Sequence, residues 1–312
     1  MKQLRKSTKK TQFKVKAFIS LAIVFALLSY KGNAHEDRTP TITKTFEMNQ
    51  RGGLNAASSG GGVVVKTHNE KSVEVQLFVR KNGKVLSPSD PSLDEILEMY
   101  DLEIEKQGTE ITANVKRKIR NMPWNNSGIS LTIIVPREMS CDVSSSGGGL
   151  TISGVDGTHN FSSSGGGVEL ENVSGTTKAR SSGGGVKATN QNGDVELSSS
   201  GGGVRLEEAY GNVKASSSGG GVHLTNIHGD VDASSSGGGV SVTGEAGRVK
   251  AKSSGGSVKV DIKNLSKELS LASSGGGIDA VIHDGDKLGL DLDLSSGRVN
   301  IDLHNFSGRS EK

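Results

Sequence analysis

Glycine triplets recur along this chain at a fixed interval, and that interval restricts the fold more than any other feature. Triplets begin at Gly147, Gly165, Gly183, Gly201, Gly219 and Gly237, and a Gly-Gly-Ser begins at Gly255; every step is 18 residues. The next triplet, at Gly275, comes after 20, which places a two-residue insertion within residues 262–270. An earlier copy of the same pattern occupies residues 57–63. A flexible Ser/Gly linker has no reason to keep a period or to hold an aliphatic residue at one phase of it. Here a valine follows the glycines at Val168, Val186, Val204, Val222, Val240 and Val258, and another comes nine residues later at Val195, Val213, Val231 and Val249.

Each 18-residue unit therefore divides into two halves, and both alternate apolar and polar residues with the period of a strand. Gly175, Gly193, Gly211, Gly229 and Gly247 fall between the halves, where a turn needs positive φ. Two short strands per unit, stacked unit on unit, make an all-β chain: a parallel β-solenoid of 18-residue coils with two main strands per coil. A three-sided coil of six-residue sides also has 18 residues, but it needs an apolar residue every six positions; the nine-residue spacing selects two faces. In a stack held in register, residues 18 apart lie about 4.8 Å apart. The column Lys178, Glu196, Lys214, Asp232, Lys250 alternates in sign at every step. Such alternation is favourable only between cross-strand neighbours, at about 0.2–1 kcal/mol per pair. The other half gives Glu169, Lys187, Arg205, His223, Ser241 and Lys259, a mixed column. The alternating column reads as a solvated structural face rather than as a strip of one charge.

Outside the regular repeat, residues 43–46, 73–79, 110–115 and 129–135 read as strands. Ser92-Leu-Asp-Glu95 has the form of a capping box, and Leu93, Ile96, Leu97 and Tyr100 make one helical stripe. This short helix lies in an insertion, residues 81–101, and is expected to cover an open end or edge of the solenoid, since bare β edges invite aggregation. Residues 299–303 with Phe306 are expected to form the last coil. The organisation read from the sequence is a signal segment over residues 1–34, N-terminal β coils with the helix insertion over 35–140, the regular Ser/Gly-rich solenoid over 141–307, and a tail over 308–312.

The signal segment rests on a basic run (Lys2 to Lys16), an apolar stretch over residues 17–28, and small residues Gly32 and Ala34 at the positions a signal peptidase reads. Twelve apolar residues span about 18 Å as helix, short of the ~30 Å hydrocarbon core, so a cleaved signal fits better than a membrane anchor. Residues 1–34 carry eight Lys/Arg and no Asp/Glu; without them 29 basic residues face 34 acidic ones, a net charge of −5. The basic balance of the whole chain is thus the signal's, and it gives no reason to expect nucleic acid. A single cysteine, Cys141, allows no internal disulfide and reads as a buried thiol. Only 4% of residues are aromatic, which fits a narrow layered core. Neither a transmembrane helix nor a wall anchor is expected after Phe306.

The units Val168 to Gly175 (Val-Glu-Leu-Glu-Asn-Val-Ser-Gly) and Val222 to Gly229 (Val-His-Leu-Thr-Asn-Ile-His-Gly), with a strand over residues 129–135 ending at Pro136 and leading into Ser-Gly-rich coils, resemble the bacterial "putative adhesin" family of β-strand repeats, a domain of unknown function. The resemblance covers roughly residues 43–306. It implies a β-solenoid on an exported protein and carries over no catalytic residue. The regularity of the Ser-Ser-Ser-Gly-Gly-Gly runs and the helix insertion depart from the family's pattern.

Calcium-binding nonapeptide repeats place an aspartate in each turn; here valine follows the triplet, and the turn column Thr176, Asp194, Asn212, Asp230, Arg248 is not repetitive enough for a ligand array. His223 and His228 are five apart, and His159, His283 and His304 are scattered, which reads as surface histidines rather than a metal site. The many serines sit in equivalent settings without a positioned base. Ser144–Ser146, Ser162–Ser164, Ser181–Ser182, Ser198–Ser200, Ser216–Ser218 and Ser234–Ser236 stack into a strip that reads first as turn chemistry and second as a flat surface for a glycan, another solenoid or ice. Trp124 reads as a local packing anchor, with sugar stacking as its alternative. The sequence thus specifies no catalytic, cofactor or metal residues. It points to an exported, non-catalytic, adhesin-like surface or envelope module, in the periplasm, at the cell surface or outside the cell. A glycan or an envelope or cell-surface protein is the expected partner. The alternatives are a periplasmic structural or regulatory protein and, less favoured, a polysaccharide-active enzyme.

Overall fold

The structure, a computed structural model, describes residues 39–118, 126–283, 292–295 and 299–302, which belong to one compact unit. The expected signal segment, Trp124, Leu303, His304, Phe306 and the tail over 308–312 lie outside the described residues.

Two stacks of short parallel strands face each other. In the first, Val186–Asn192, Val204–Tyr210, Val222–His228 and Val240–Glu245 pair in sequence, Val186 beside Val204 beside Val222 beside Val240. In the second, Val195–Ser199, Val213–Ser217, Val231–Ser235 and Arg248–Ser253 do the same. This is the parallel β-solenoid that the period implied, two strands per coil. Inward positions of one coil are Val222, Leu224, Ile227, Val231, Ala233 and Ser235, all buried. Burying a valine or leucine contributes about 1.5–3 kcal/mol, and each coil repeats the set on its neighbour, so stability grows coil by coil. The core is thin because its inward residues are mostly Val, Leu, Ile, Ala and Ser; Phe161 is among the largest fully buried side chains. The charge column behaves as a ladder, with Lys178 beside Glu196 beside Lys214 beside Asp232 beside Lys250.

The N-terminal region closes one end. Its elements are β1 (Ile42–Glu47), β2 (Gly52–Ser58), β3 (Val63–His68), β4 (Ser72–Lys81), β5 (Lys84–Val85), α1 (Leu93–Glu98), β6 (Tyr100–Gln107), β7 (Glu110–Arg117), β8 (Ser127–Pro136), β9 (Met139–Ser145) and β10 (Leu150–Ser153). The strands expected at residues 43–46, 73–79, 110–115 and 129–135 fall within β1, β4, β7 and β8. β2 and β3 already form a coil of the regular stack, pairing with β9 and β10 (Ser58 beside Ser145, Val63 beside Leu150) although residues 69–138 intervene. That intervening chain adds one more coil, β7 on β2 and β8 on β3. Antiparallel strands close the end: β4 on β8 and β1 on β4 finish one stack, and β6 on β7 finishes the other. Lys44 Nζ donates to the Ile104 carbonyl, and Lys106 Nζ to the Glu47 carbonyl, so the two terminal strands are tied to each other by lysines. Charged residues on an edge also discourage pairing with another chain.

α1 lies in the crossover from β5 to β6, with Leu93 and Ile96 buried in the core cluster beside Leu86, Met99 and Tyr100. It is shorter than its stripe suggested, because Tyr100 opens β6. The capping box does not form. Ser92 Oγ donates instead to Asp90 Oδ1 (2.6 Å), which also accepts the Ser92 N–H (2.9 Å). Both Ser92 donors are directed to the Asp90 carboxylate in charge-assisted bonds, and these bonds hold the Asp90 carboxyl below its usual value.

Candidate functional site

Every coil has two corners, and they are built differently. At the first, the glycine triplets stack on one another. A Cβ on Gly202 would lie 2.6 Å from the Gly185 nitrogen, and one on Gly201 2.3 Å from the Gly183 oxygen. Both obstacles are backbone, so neither can move aside. The glycines are there for close approach, not for positive φ. One serine of each run faces inward. Ser217 Oγ donates to the Gly202 carbonyl of the preceding coil (2.8 Å) and accepts the N–H of Gly220 (3.1 Å). Ser145, Ser163, Ser199, Ser235, Ser253 and Ser273 repeat the arrangement. The expected flat strip of hydroxyls is therefore split. These inner serines are buried and committed to holding adjacent coils together, and only the flanking ones face solvent.

At the second corner the chain bends through a left-handed residue. Asn172, Asn190 and Asn226 have φ of 53°, 52° and 55°; the equivalent residue in the coil between the last two is Glu208, φ 64°. Asparagine tolerates this region because its short side chain bonds locally, whereas glutamate does not. The turn glycine behaves as expected at Gly193 and Gly211, but not at Gly247: the coil from Val240 is one residue short before its bend, and positive φ moves to Gly244 beside Ile227. The two-residue insertion also falls at this corner, between Val258–Lys263 and Glu268–Ser273, with Leu265 buried.

The residues singled out from sequence are dispersed. Cys141 is buried, and desolvation pushes its thiol up to about 12. His159 sits beside it on the next coil and is buried, not at the surface. It occupies the inward column that continues as Thr177 and Val195, and its ring stacks on Phe161 at 5.6 Å. Its Nε2 lies 3.1 Å from the Ser174 carbonyl, its buried Nδ1 has no partner, and desolvation lowers its pKa. The alternation of inward and outward positions was legible here, but His was read as polar. His223 points outward from the first stack, His228 stands at the second corner, and His283 pairs with Asp261 (2.8 Å). Asp194 accepts the backbone and side-chain N–H of Asn212 (3.0 and 3.1 Å); Asp230 binds the Arg248 N–H, Arg248 and Lys267. Protein donors already surround these carboxylates, and among the described residues no three His, Cys, Asp or Glu side chains gather as a metal site.

Two shallow troughs run lengthwise. One, of about 560 Å³, passes over the third glycine of five successive triplets (Gly149 to Gly221) beside the outward column Thr151, Glu169, Lys187, Arg205 and His223. The other, of about 320 Å³, follows the turn from Asp194 to Arg248 beside Lys178, Glu196, Lys214 and Asp232. Several charges along them are paired: Lys187 with Glu169 of the neighbouring coil (3.0 Å), which raises the lysine's pKa, Lys178 and Arg180 with Glu196, and Arg205 with Glu207 of its own coil.

One feature of the second corner went unread in the sequence. Tyr210 and His228, on adjacent coils, stack with ring centroids 4.8 Å apart and planes 3° from parallel. Tyr210 is 47% exposed. The signal was present in the repeat alignment, where Ser174 and Asn192 hold the same position.

No family model matches the chain, and no curated protein does. Among solved structures it is similar to a "putative adhesin" from Bacteroides fragilis (14% identity, 83% of this chain and 96% of that one, TM-score 0.38). Two further structures with that description are similar, from Parabacteroides merdae (10%, 84% and 96%, TM-score 0.38) and Parabacteroides distasonis (11%, 83% and 95%, TM-score 0.39). The chain resembles putative adhesins of β-solenoid-like fold.

Proposed function

We propose that this chain is an exported, non-catalytic binding module of the cell surface or envelope that engages its partner along the side of the solenoid. The observation that carries this reading is the trough over Gly149 to Gly221: it is open along its length and crosses five coils. Small-molecule sites are usually concave and enclosed. A lengthwise trough on a rigid stack suits an extended ligand, such as a glycan chain or a segment of another envelope protein. Rigidity supports the same reading, since a preformed face spends little binding energy on ordering itself. Paired charges along the trough favour a ligand without a strong net charge.

The test is location together with binding. A C-terminally tagged copy is followed by protease shaving of intact and lysed cells. Loss of the tag from intact cells supports an outward-facing module. Loss only after lysis removes the adhesin-like reading and leaves a periplasmic envelope protein, a reading that the solvated, cross-paired faces also fit.

A further inference from the structure

We infer that the second corner around Tyr210 is a sugar-binding site for neutral or amine-bearing hexose chains, with the open face of the Tyr210 ring as its platform. This rests on the reading of the chain as an exposed binding module, and it adds a second contact place with its ligand class, at the corner opposite the glycine trough.

Three observations converge on one coil. First, Tyr210 and Val281 are the only exposed large hydrophobic residues among those described. In a chain with three tyrosines, one stands in a corner column whose other members are all polar or charged: Asp156, Ser174, Asn192, His228, Glu245 and Lys263. Second, the ring is oriented. His228 stacks on one face at 4.8 Å, and the neighbour on the other side is the shorter Asn192, so the second face lies above a step in the column. Third, the same coil carries Glu208 in the left-handed conformation at φ 64°, where asparagine serves in the flanking coils. The fold does not need glutamate there. A sequence that accepts backbone strain at one copy of a repeat, beside its one exposed aromatic platform, is departing from its own rule at a site of use.

The chemistry selects the ligand. The face of an aromatic ring carries negative charge density and attracts the polarised C–H groups of a pyranose. Glu208 accepts a hydrogen bond from the Tyr210 hydroxyl (3.3 Å), and Glu245 lies 3.9 Å from His228. Carboxylates of this kind accept hydrogen bonds from sugar hydroxyls or an amine, and they repel a uronate. Asn190, whose amide donates to Asn172 (2.6 Å), extends the polar edge down the stack.

The experiment titrates the full exported chain calorimetrically with three probes: cello-oligosaccharide, chitosan oligosaccharide and oligogalacturonate. Binding of either of the first two, and weaker or no binding of the third, is the expected result. Tyr210→Ala should cost roughly tenfold or more, the scale of losing an aromatic anchor; Tyr210→Phe should keep most of the affinity. Glu208→Asn should weaken binding while raising the melting temperature, which a purely structural role would not produce. Binding of none of the probes, preference for the uronate, or affinity untouched by Tyr210→Ala in a variant that melts like the wild type overturns the inference. In each of these cases loss of the tag from intact cells would still leave the exposed module standing, so the two readings fail separately.

Discussion

The two corners of each coil face opposite demands. At the glycine corner, backbone stacks on backbone, and Gly202 has no room for a methyl group. One buried serine there satisfies a carbonyl of the coil before it and an amide of its own turn. At the bend, the same chain admits Asn or Glu, loses a residue at Gly244, gains two before Glu268, and exposes Tyr210. The difference teaches where such a protein can vary. A corner fixed by main-chain contact keeps the coils in register, so the other corner is free to vary in sequence and length.

The sharpest way to break this contrast is to put an alanine at each corner. Gly202→Ala places a Cβ 2.6 Å from the Gly185 nitrogen; overpacking against backbone should cost about 3 kcal/mol, the upper end for such changes, in chemical denaturation. Asn226→Ala at the bend should cost only about 1 kcal/mol, the left-handed penalty of an ordinary residue. Equal costs would erase the distinction. Next, Ser217→Ala leaves the Gly202 carbonyl and the Gly220 amide without their hydroxyl, and about 2 kcal/mol should be lost. An outer serine, Ser218→Ala, should change stability by less than about 0.5 kcal/mol, as solvent-facing substitutions do.

A pH series probes the interior that both corners enclose. His159 is buried and its folded-state pKa is lowered by desolvation. The unfolded chain then binds a proton that the folded chain refuses, so stability should fall as the pH drops below about 6.5 and be fully present above it. His159→Thr, the residue of the next coil, should flatten that part of the profile. Smaller still is the bend itself: Glu208→Asn should stabilise by about 1 kcal/mol, because asparagine visits this conformation more readily. The smallest effect is expected at Glu196→Gln, which removes exposed pairs with Lys178 and Arg180, at most about 0.5 kcal/mol.

Much of this was readable from residues alone. Val168, Val186 and Val204 at one phase and Val195 and Val213 at the other fix two strands per coil, and the alternating Lys178 to Lys250 column fixes their register. What the period does not carry is contact between coils. Nothing in Ser-Ser-Ser tells which hydroxyl turns inward, because that depends on where the carbonyl of the preceding glycine lies. The burial of His159 is hidden in the sequence because a polar label conceals a ring that packs well on Phe161. The antiparallel closure by β1, β4 and β6 was invisible for a similar reason: strands announce themselves, but their partners across residues 69–138 do not. The Tyr210 edge was legible as a departure from the repeat, yet only the stacking on His228 gives that departure a direction.

Hydrogen exchange read amide by amide along the stack tests the central claim most directly. The amides of Gly166, Gly202, Gly220, Gly238 and Gly256 donate to buried serines and should exchange slowly, at rates set by opening of whole coils. The exposed bend positions Asn190, Glu208 and Asn226 should exchange faster by orders of magnitude. Equal protection at both corners, or faster exchange at the glycines, would contradict the division of each coil into a fixed corner and a variable one.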